Sequence, residues 1–138
     1  MTAPSQRMDT RMHTDIITLR PDAVWTVLFR DEGGWRAGVY LPEHRGPDGI
    51  EMLEKHSCPE LFVCLGGRMG LLLSDGSSER AVELTPHQAV MVSDYHNGFS
   101  IDPGGFFLVV ERTAFSTDYI DRKTGMFIKR IDVKPEYP

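Results

Sequence analysis

The residues best suited to chemistry lie in one short segment, residues 54–67, with the sequence EKHSCPELFVCLGG. This segment places the carboxylates of Glu54 and Glu60 and the imidazole of His56 just ahead of an apolar run. Side chains two positions apart in an extended strand point the same way, so these three and Cys58 are expected to share one face. Imidazoles and carboxylates that converge are suitable ligands for Zn, Fe, Mn or Ni. The segment therefore predicts a divalent metal site with room for a substrate.

Four further residues are candidates for the same site. His96, in the segment SDYHNGFSI, is a candidate metal ligand from a later strand. Its neighbour Tyr95 either donates a proton or packs on the rim as an aromatic side chain. His44, in the loop LPEHRGPDG, is either a general base or a surface histidine. Arg68 is a candidate for binding a substrate carboxylate.

The elements expected to position these residues are β-strands. Short apolar stretches separated by turn residues run from Asp15 onward, and this spacing is typical of an all-β sandwich or barrel. Nine stretches have this character: DIITL, VWTVLF, WRAGVYL, ELFVCL, RMGLLLS, RAVEL, QAVMV, GFSI and FFLVVER. Helical periodicity occurs only in STDYIDRKTGMFIKRI, where Ser116 or Thr117 is expected to cap a short C-terminal helix that Gly125 ends.

Composition limits the classes of protein to which the chain can belong. A chain of 138 residues with 41% hydrophobic content is expected to form one compact domain. We assign residues 1–14 to a flexible arm and residues 15–138 to the domain. The net charge of -5 argues against a nucleic-acid partner, and no run approaches the roughly 20 apolar residues of a membrane span. Cys58 and Cys64 form no paired motif, so reduced thiols in the cytoplasm are expected.

The segment resembles the first motif of the cupins, G-x5-H-x-H-x3,4-E-x6-G. His56, Glu60 and Gly67 fall in register with the second His, the Glu and the closing Gly of that motif. Glu54 stands at the position of the first His, and Asp48 stands at the leading Gly. An oxygen ligand thus replaces an imidazole, which alters metal preference rather than forbidding a metal.

The second cupin motif is matched only by His96, which stands at its histidine. Thr85, Met91 and Ser93 occupy other fixed positions of that motif and differ from it in type. The resemblance covers roughly residues 48–112. It implies a double-stranded β-helix, or jelly-roll, barrel followed by a short C-terminal helix or tail.

The cupin resemblance also implies a ligand set and an assembly. His56, Glu60 and His96 would hold the metal, and Glu54 is a candidate fourth ligand. A homodimer that exchanges the N-terminal arm would cover an exposed sheet edge.

Three functions are compatible with these features. The first is a metal-dependent isomerase, lyase or dioxygenase that acts on a small polar carbonyl or carboxylate metabolite. The second follows from the segments LFVCLGGRMGLLLSDGSSER and FFLVVERTAFSTDYIDR, which are similar to the nucleotide-sugar 3,4-ketoisomerases, cupins that use histidines without metal. The R-G-x-H-A-H-K signature of those enzymes is absent, and only His44, Arg45 and Gly46 partly correspond to it. The third is a non-catalytic cupin that binds or senses a small ligand.

Overall fold

The computed structural model describes residues 15–134. All regular structure in this range is antiparallel β-sheet, which confirms the all-β prediction. Within the described range the strands are, in chain order, β1 (Trp25–Arg30), β2 (Trp35–Tyr40), β3 (Met52–His56), β4 (Glu60–Leu65), β5 (Met69–Ser74), β6 (Glu79–Leu84), β7 (Ala89–Val92), β8 (Tyr95–Ser100), β9 (Phe106–Arg112), β10 (Phe115–Asp121) and β11 (Phe127–Val133).

The strands form two sheets in a jelly-roll arrangement. The five-stranded sheet has the order β1-β2-β9-β4-β7, and the six-stranded sheet has the order β11-β10-β3-β8-β5-β6. From β3 to β10 the chain crosses repeatedly between the sheets, so that consecutive strands such as β3 and β4, or β8 and β9, face each other instead of pairing. This arrangement brings residues from both sheets to a common interior.

Alternation along β4 and β9 builds that interior. Phe62 and Cys64 of β4, and Phe107 and Val109 of β9, are all at most 2% exposed and belong to one core cluster. The residues between them are only partly buried, as expected for strands with one face toward the core. The Phe62 and Phe107 rings meet edge to face at 5.3 Å, a favoured aromatic geometry.

The predicted C-terminal helix is wrong, because its segment forms the hairpin of β10 and β11. The Asp121 carboxylate accepts hydrogen bonds from the Thr124 backbone N–H at 2.8 Å and from its hydroxyl at 2.9 Å, which holds the turn. Gly125, expected to end the helix, adopts a φ of 73° in this turn instead. Pairing of β10 with both β3 and β11 supplies the backbone partners that a helix would have supplied internally.

Two predictions concern the chain before β1. The stretch DIITL was predicted to be a strand, but residues 15–20 form none. The predicted arm, residues 1–14, lies outside the described residues. None of the described residues belongs to a helix long and apolar enough to cross a membrane.

Candidate metal centre

Strands from both sheets carry the four predicted ligands. Glu54 and His56 lie on β3, and Glu54 pairs across the six-stranded sheet with His96 of β8. A turn at residues 57–59 then carries the chain into the five-stranded sheet, where Glu60 opens β4. The sequence predicted one continuous extended strand from Glu54 to Glu60. The structure instead has a turn between two sheets, and this turn brings Glu60 back toward His56.

Three of these side chains meet at a single carboxylate oxygen. Glu60 Oε1 lies 2.7 Å from His56 Nε2 and 2.9 Å from His96 Nε2. Glu54 Oε1 lies 3.3 Å from the same His56 nitrogen. The side chains of His56, Glu60 and His96 are at most 7% exposed, whereas that of Glu54 is 34% exposed. The cluster therefore has a buried centre and one member that reaches solvent.

Both imidazole rings are oriented by contacts at their other nitrogen. His56 Nδ1 lies 2.7 Å from the Thr117 hydroxyl of β10, and His96 Nδ1 lies 2.9 Å from the backbone carbonyl oxygen of Asp94. A carbonyl can only accept, so His96 Nδ1 carries the proton and donates it there. His96 Nε2 then faces the cluster, the arrangement of most metal-binding histidines.

The buried carboxylate oxygen is the feature that best fits a cation. Glu60 Oε1 contacts two ring nitrogens and accepts no further hydrogen bond among the described residues. The separations in this cluster, 2.7 to 3.3 Å, are those of ion pairs, and they keep the donors within reach of a single ion. Imidazole and carboxylate donors with this spacing fit a first-row divalent metal.

The cluster also compensates its charges by protonation. Burial lowers the pKa of His56, but the Glu54 and Glu60 carboxylates outweigh burial and raise the pKa to about 10. Burial likewise raises the pKa of Glu60, but the imidazoles of His56 and His96 outweigh it and hold the pKa far below its ordinary range. A proton on His56 thus balances the carboxylates, a role that a bound cation can take over.

A second charged pair, which was not predicted from the sequence, lies beside the cluster. Arg36 of β2 lies opposite Glu111 of β9, and two of its guanidinium nitrogens lie 2.6 and 2.7 Å from Glu111 Oε2. Burial and the nearby Glu60 carboxylate raise the pKa of Glu111 to about 8, against the influence of Arg36. Two groups of three described residues offer ligand atoms that all lie within 4.8 Å of one another, Glu54 with His56 and His96, and Glu111 with His56 and Glu60. The sequence FFLVVER could have predicted that Glu111 points inward, because it continues the inward alternation that includes Phe107.

A cavity of about 620 Å³ adjoins the cluster and includes it in its wall. His44 lines this cavity, so the structure places it beside the predicted ligands. Tyr40 lines it too, and its hydroxyl donates to Asn97 Oδ1 at 3.3 Å. Burial, reinforced by the Glu54 carboxylate, raises the pKa of Tyr40, so its phenol stays protonated.

The other candidate residues lie elsewhere. Tyr95 is absent from the described lining of the cavity and packs against a second core cluster that contains Leu53 and Leu72. Arg68 is also absent from that lining and is half-exposed at the surface. Its guanidinium pairs with Asp102 at 3.1 Å and lies 3.6 Å from Glu83.

Cys58 does not join the cluster either. It shares the sequence parity of His56, but it lies in the turn between β3 and β4 and is 6% exposed. Neither group of clustered ligand atoms among the described residues includes it. Cys64 is fully buried, and its thiol donates to the backbone carbonyls of Gly67 and Leu84. Both cysteines are free thiols.

Comparison with known proteins identifies the architecture. No family model matches the sequence, and no curated protein sequence matches it. Among solved structures, FeII HppE in complex with substrate superposes with a TM-score of 0.52 at 14% identity, over 68% of this chain and 55% of that chain. CoII HppE in complex with Tris buffer superposes with a TM-score of 0.50 at 17% identity, over 70% of this chain and 56% of that chain.

A third structure is matched over almost its whole length. Protein NMB1881 from Neisseria meningitidis gives a TM-score of 0.50 at 14% identity, over 71% of this chain and 98% of that one. HppE is a cupin-fold enzyme, and the present chain spans little more than half of it. At these identities the likeness concerns the fold alone, which is that of a cupin.

Proposed function

We propose that this cupin-fold protein is a divalent-metal-dependent enzyme that acts on a small polar molecule with a carbonyl oxygen. The observation that carries the proposal is Glu60 Oε1. It is a buried carboxylate oxygen that lies 2.7 and 2.9 Å from two imidazole nitrogens. A buried carboxylate needs a compensating positive charge, and a divalent cation between these donors would take the place of the His56 proton.

His56, His96 and Glu60 would hold the metal, with Glu54 as the fourth ligand. Two histidines and one carboxylate are the donor set of many non-haem Fe(II) oxygenases, and Zn, Mn and Ni accept the same ligand types. A metal bound here supplies a Lewis acid that polarises a substrate oxygen. Because Glu54 is 34% exposed, it is the ligand nearest the point of substrate entry.

Two residues of the cavity wall are placed to move or hold protons. The Tyr40 phenol stays protonated because burial and the Glu54 carboxylate raise its pKa, so it acts as a hydrogen-bond donor. Asn97 accepts from this phenol and donates to the Met52 carbonyl at 3.0 Å, which fixes its position. His44 is the candidate general base, because it lines the cavity and an imidazole nitrogen can accept a proton.

Elemental analysis tests the metal directly. The protein is produced with iron, zinc, manganese and nickel in the medium, purified without chelator, and measured for metal content. We expect about one divalent ion per chain in the wild type and less than about 0.2 in His96→Ala and Glu60→Gln, because each change removes a ligand. Glu83→Gln is the matched control, since Glu83 is 59% exposed and lies outside the cavity.

A folded wild type that carries no stoichiometric metal under these conditions would refute the proposal. The metal-free alternative, a ketoisomerase acting through histidines, then gains support if a keto-deoxysugar nucleotide turns over in the presence of a chelator. Absence of both metal and turnover over a set of such substrates would leave the non-catalytic ligand-binding protein. One preparation therefore separates all three functions.

A further inference from the structure

Acidic side chains dominate the cavity that adjoins the candidate metal centre. Its wall carries a single permanently charged cation among the described residues, Arg36. Against it stand the carboxylates of Glu43, Glu51, Glu54 and Glu60, whereas Glu111 is paired with Arg36 itself.

Arg36 is already committed to other contacts. Glu111 holds its guanidinium at 2.6 Å. The Trp25 and Phe115 rings cover it, with centroids 5.6 and 5.5 Å away. A guanidinium so paired and covered is a poor receptor for a substrate anion, because an incoming carboxylate would have to break both sets of contacts.

The glutamates at the rim are in the opposite situation. Glu43 and Glu51 are exposed, line the cavity, and form no side-chain ion pair or hydrogen bond among the described residues. Glu60, 5% exposed, also lines the cavity, and its Oε1 contacts only the two site histidines among the described residues. A divalent ion would offset the charges of Glu54 and Glu60, but those of Glu43 and Glu51 would remain uncompensated.

We infer that the cavity selects a small molecule that carries a protonated amine, with a neutral oxygen directed to the metal, and disfavours carboxylates and phosphates of the same size. The contact between the neutral oxygen and the metal rests on the proposed function. The preference for an ammonium group rests only on the charges of Glu43 and Glu51. An ammonium near these carboxylates gains ion pairing, whereas an anion there meets like charges.

Three probes with one skeleton and different charge test this selectivity. Tyramine is cationic, tyrosol is neutral, and 4-hydroxyphenylacetate is anionic near neutral pH. Binding of each to the metal-loaded protein is measured by isothermal titration calorimetry at low and at high salt. We expect tyramine to bind about 10-fold tighter than tyrosol at low salt, with 4-hydroxyphenylacetate weakest and the difference reduced by salt.

Charge-neutral variants locate the effect. In the double variant Glu43→Gln with Glu51→Gln, tyramine is expected to bind no more than about 3-fold tighter than tyrosol. The control is Glu32→Gln with Glu83→Gln, which changes net charge equally at exposed positions outside the cavity lining. An unchanged preference in the rim variant, tighter binding of the carboxylate, or no binding of tyramine at millimolar concentration would overturn the inference.

Metal analysis of the protein as purified separates this inference from the metal proposal. If the protein purified without chelator carries no metal while tyramine is still preferred, the metal proposal fails and the amine selectivity holds. If metal is present at stoichiometric level but 4-hydroxyphenylacetate binds best, the selectivity fails and the metal proposal holds. The two results are read from independent measurements.

Discussion

Thr117 shows how a single residue outside the ligand set is expected to control the candidate site. Its hydroxyl lies 2.7 Å from Nδ1 of His56, and the residue is 2% exposed. Partners of this kind fix the orientation of a ligating ring, and their loss typically weakens metal binding by about 10- to 100-fold. We expect Thr117→Val to weaken metal affinity by that factor, as measured by competition with a chromophoric chelator.

The shape of valine matches that of threonine, so this change removes the hydroxyl with little change in packing. Thr113→Val is the control, because Thr113 is equally buried at 3% exposed but has no contact with the site histidines. Unaltered affinity in Thr117→Val, with both variants folded, would show that the ring is held by the other members of the cluster.

At the residue scale the spacing in the sequence predicted that the candidate ligands on β3 lie together. Residues two apart in a strand share a face, and that rule placed Glu54 and His56 together. Applied to β8, the same rule argues that Tyr95 and His96 face opposite ways, and Tyr95 indeed packs against the second core cluster. What the sequence could not supply is the partner across the barrel. Glu111 meets Glu60 only because β9 pairs with β4.

At the scale of elements, alternation predicted strands well wherever one face is buried. Stretches such as ELFVCL and FFLVVER became β4 and β9 because their apolar side chains alternate toward the core. Alternation failed to predict β10 and β11. All residues of β11 except Val133 are exposed, so this strand is held extended by its pairing with β10 and not by burial of one face. A strand stabilised mainly by its neighbour leaves little periodicity to detect.

The β5–β8 pair contains a close packing contact that a single methyl group would break. Gly70 of β5 pairs with Phe99 of β8, and a Cβ added at Gly70 would lie 2.1 Å from Phe99 Cζ. Phe99 is 4% exposed in the second core cluster, so its ring has little room to move. We expect Gly70→Ala to lower the free energy of unfolding by about 2 kcal/mol in urea denaturation, because overpacking outweighs the gain from removing a glycine.

Gly49→Ala is a suitable comparison. A Cβ there would meet only His44 Nδ1 at 3.6 Å, an ordinary contact, and the backbone does not need a glycine. Its free energy of unfolding is expected to stay within about 0.5 kcal/mol of the wild type. Equal stability of both variants would mean that the Phe99 ring has an alternative position.

At the scale of the whole molecule the jelly roll was predictable, whereas its assembly was not. Many short strands separated by turn residues, together with the motif spacing through Gly67, indicated a cupin barrel. The homodimer stays a prediction, because the arm expected to be exchanged lies outside the described residues. The edge strand β11 exposes Phe127, Ile128 and Ile131 by 59%, 45% and 42%, which is the kind of edge that a second copy would cover.

The candidate ligands tie the two sheets together, so metal binding is expected to stabilise the whole fold. His56 and His96 belong to the six-stranded sheet and Glu60 to the five-stranded one. An ion present at 100 times its dissociation constant adds about 2.7 kcal/mol to folding stability, which for a chain of this size corresponds to a rise in Tm of roughly 10 °C. Thermal unfolding followed by circular dichroism, with chelator and then with each metal added back, measures the shift.

Glu60→Gln is expected to lose most of this metal-dependent shift in Tm, while the exposed control Glu83→Gln keeps it. A wild-type Tm that responds to none of iron, zinc, manganese or nickel would mean that the sheets are held together without an ion, and that the proton on His56 is the resident charge of the site.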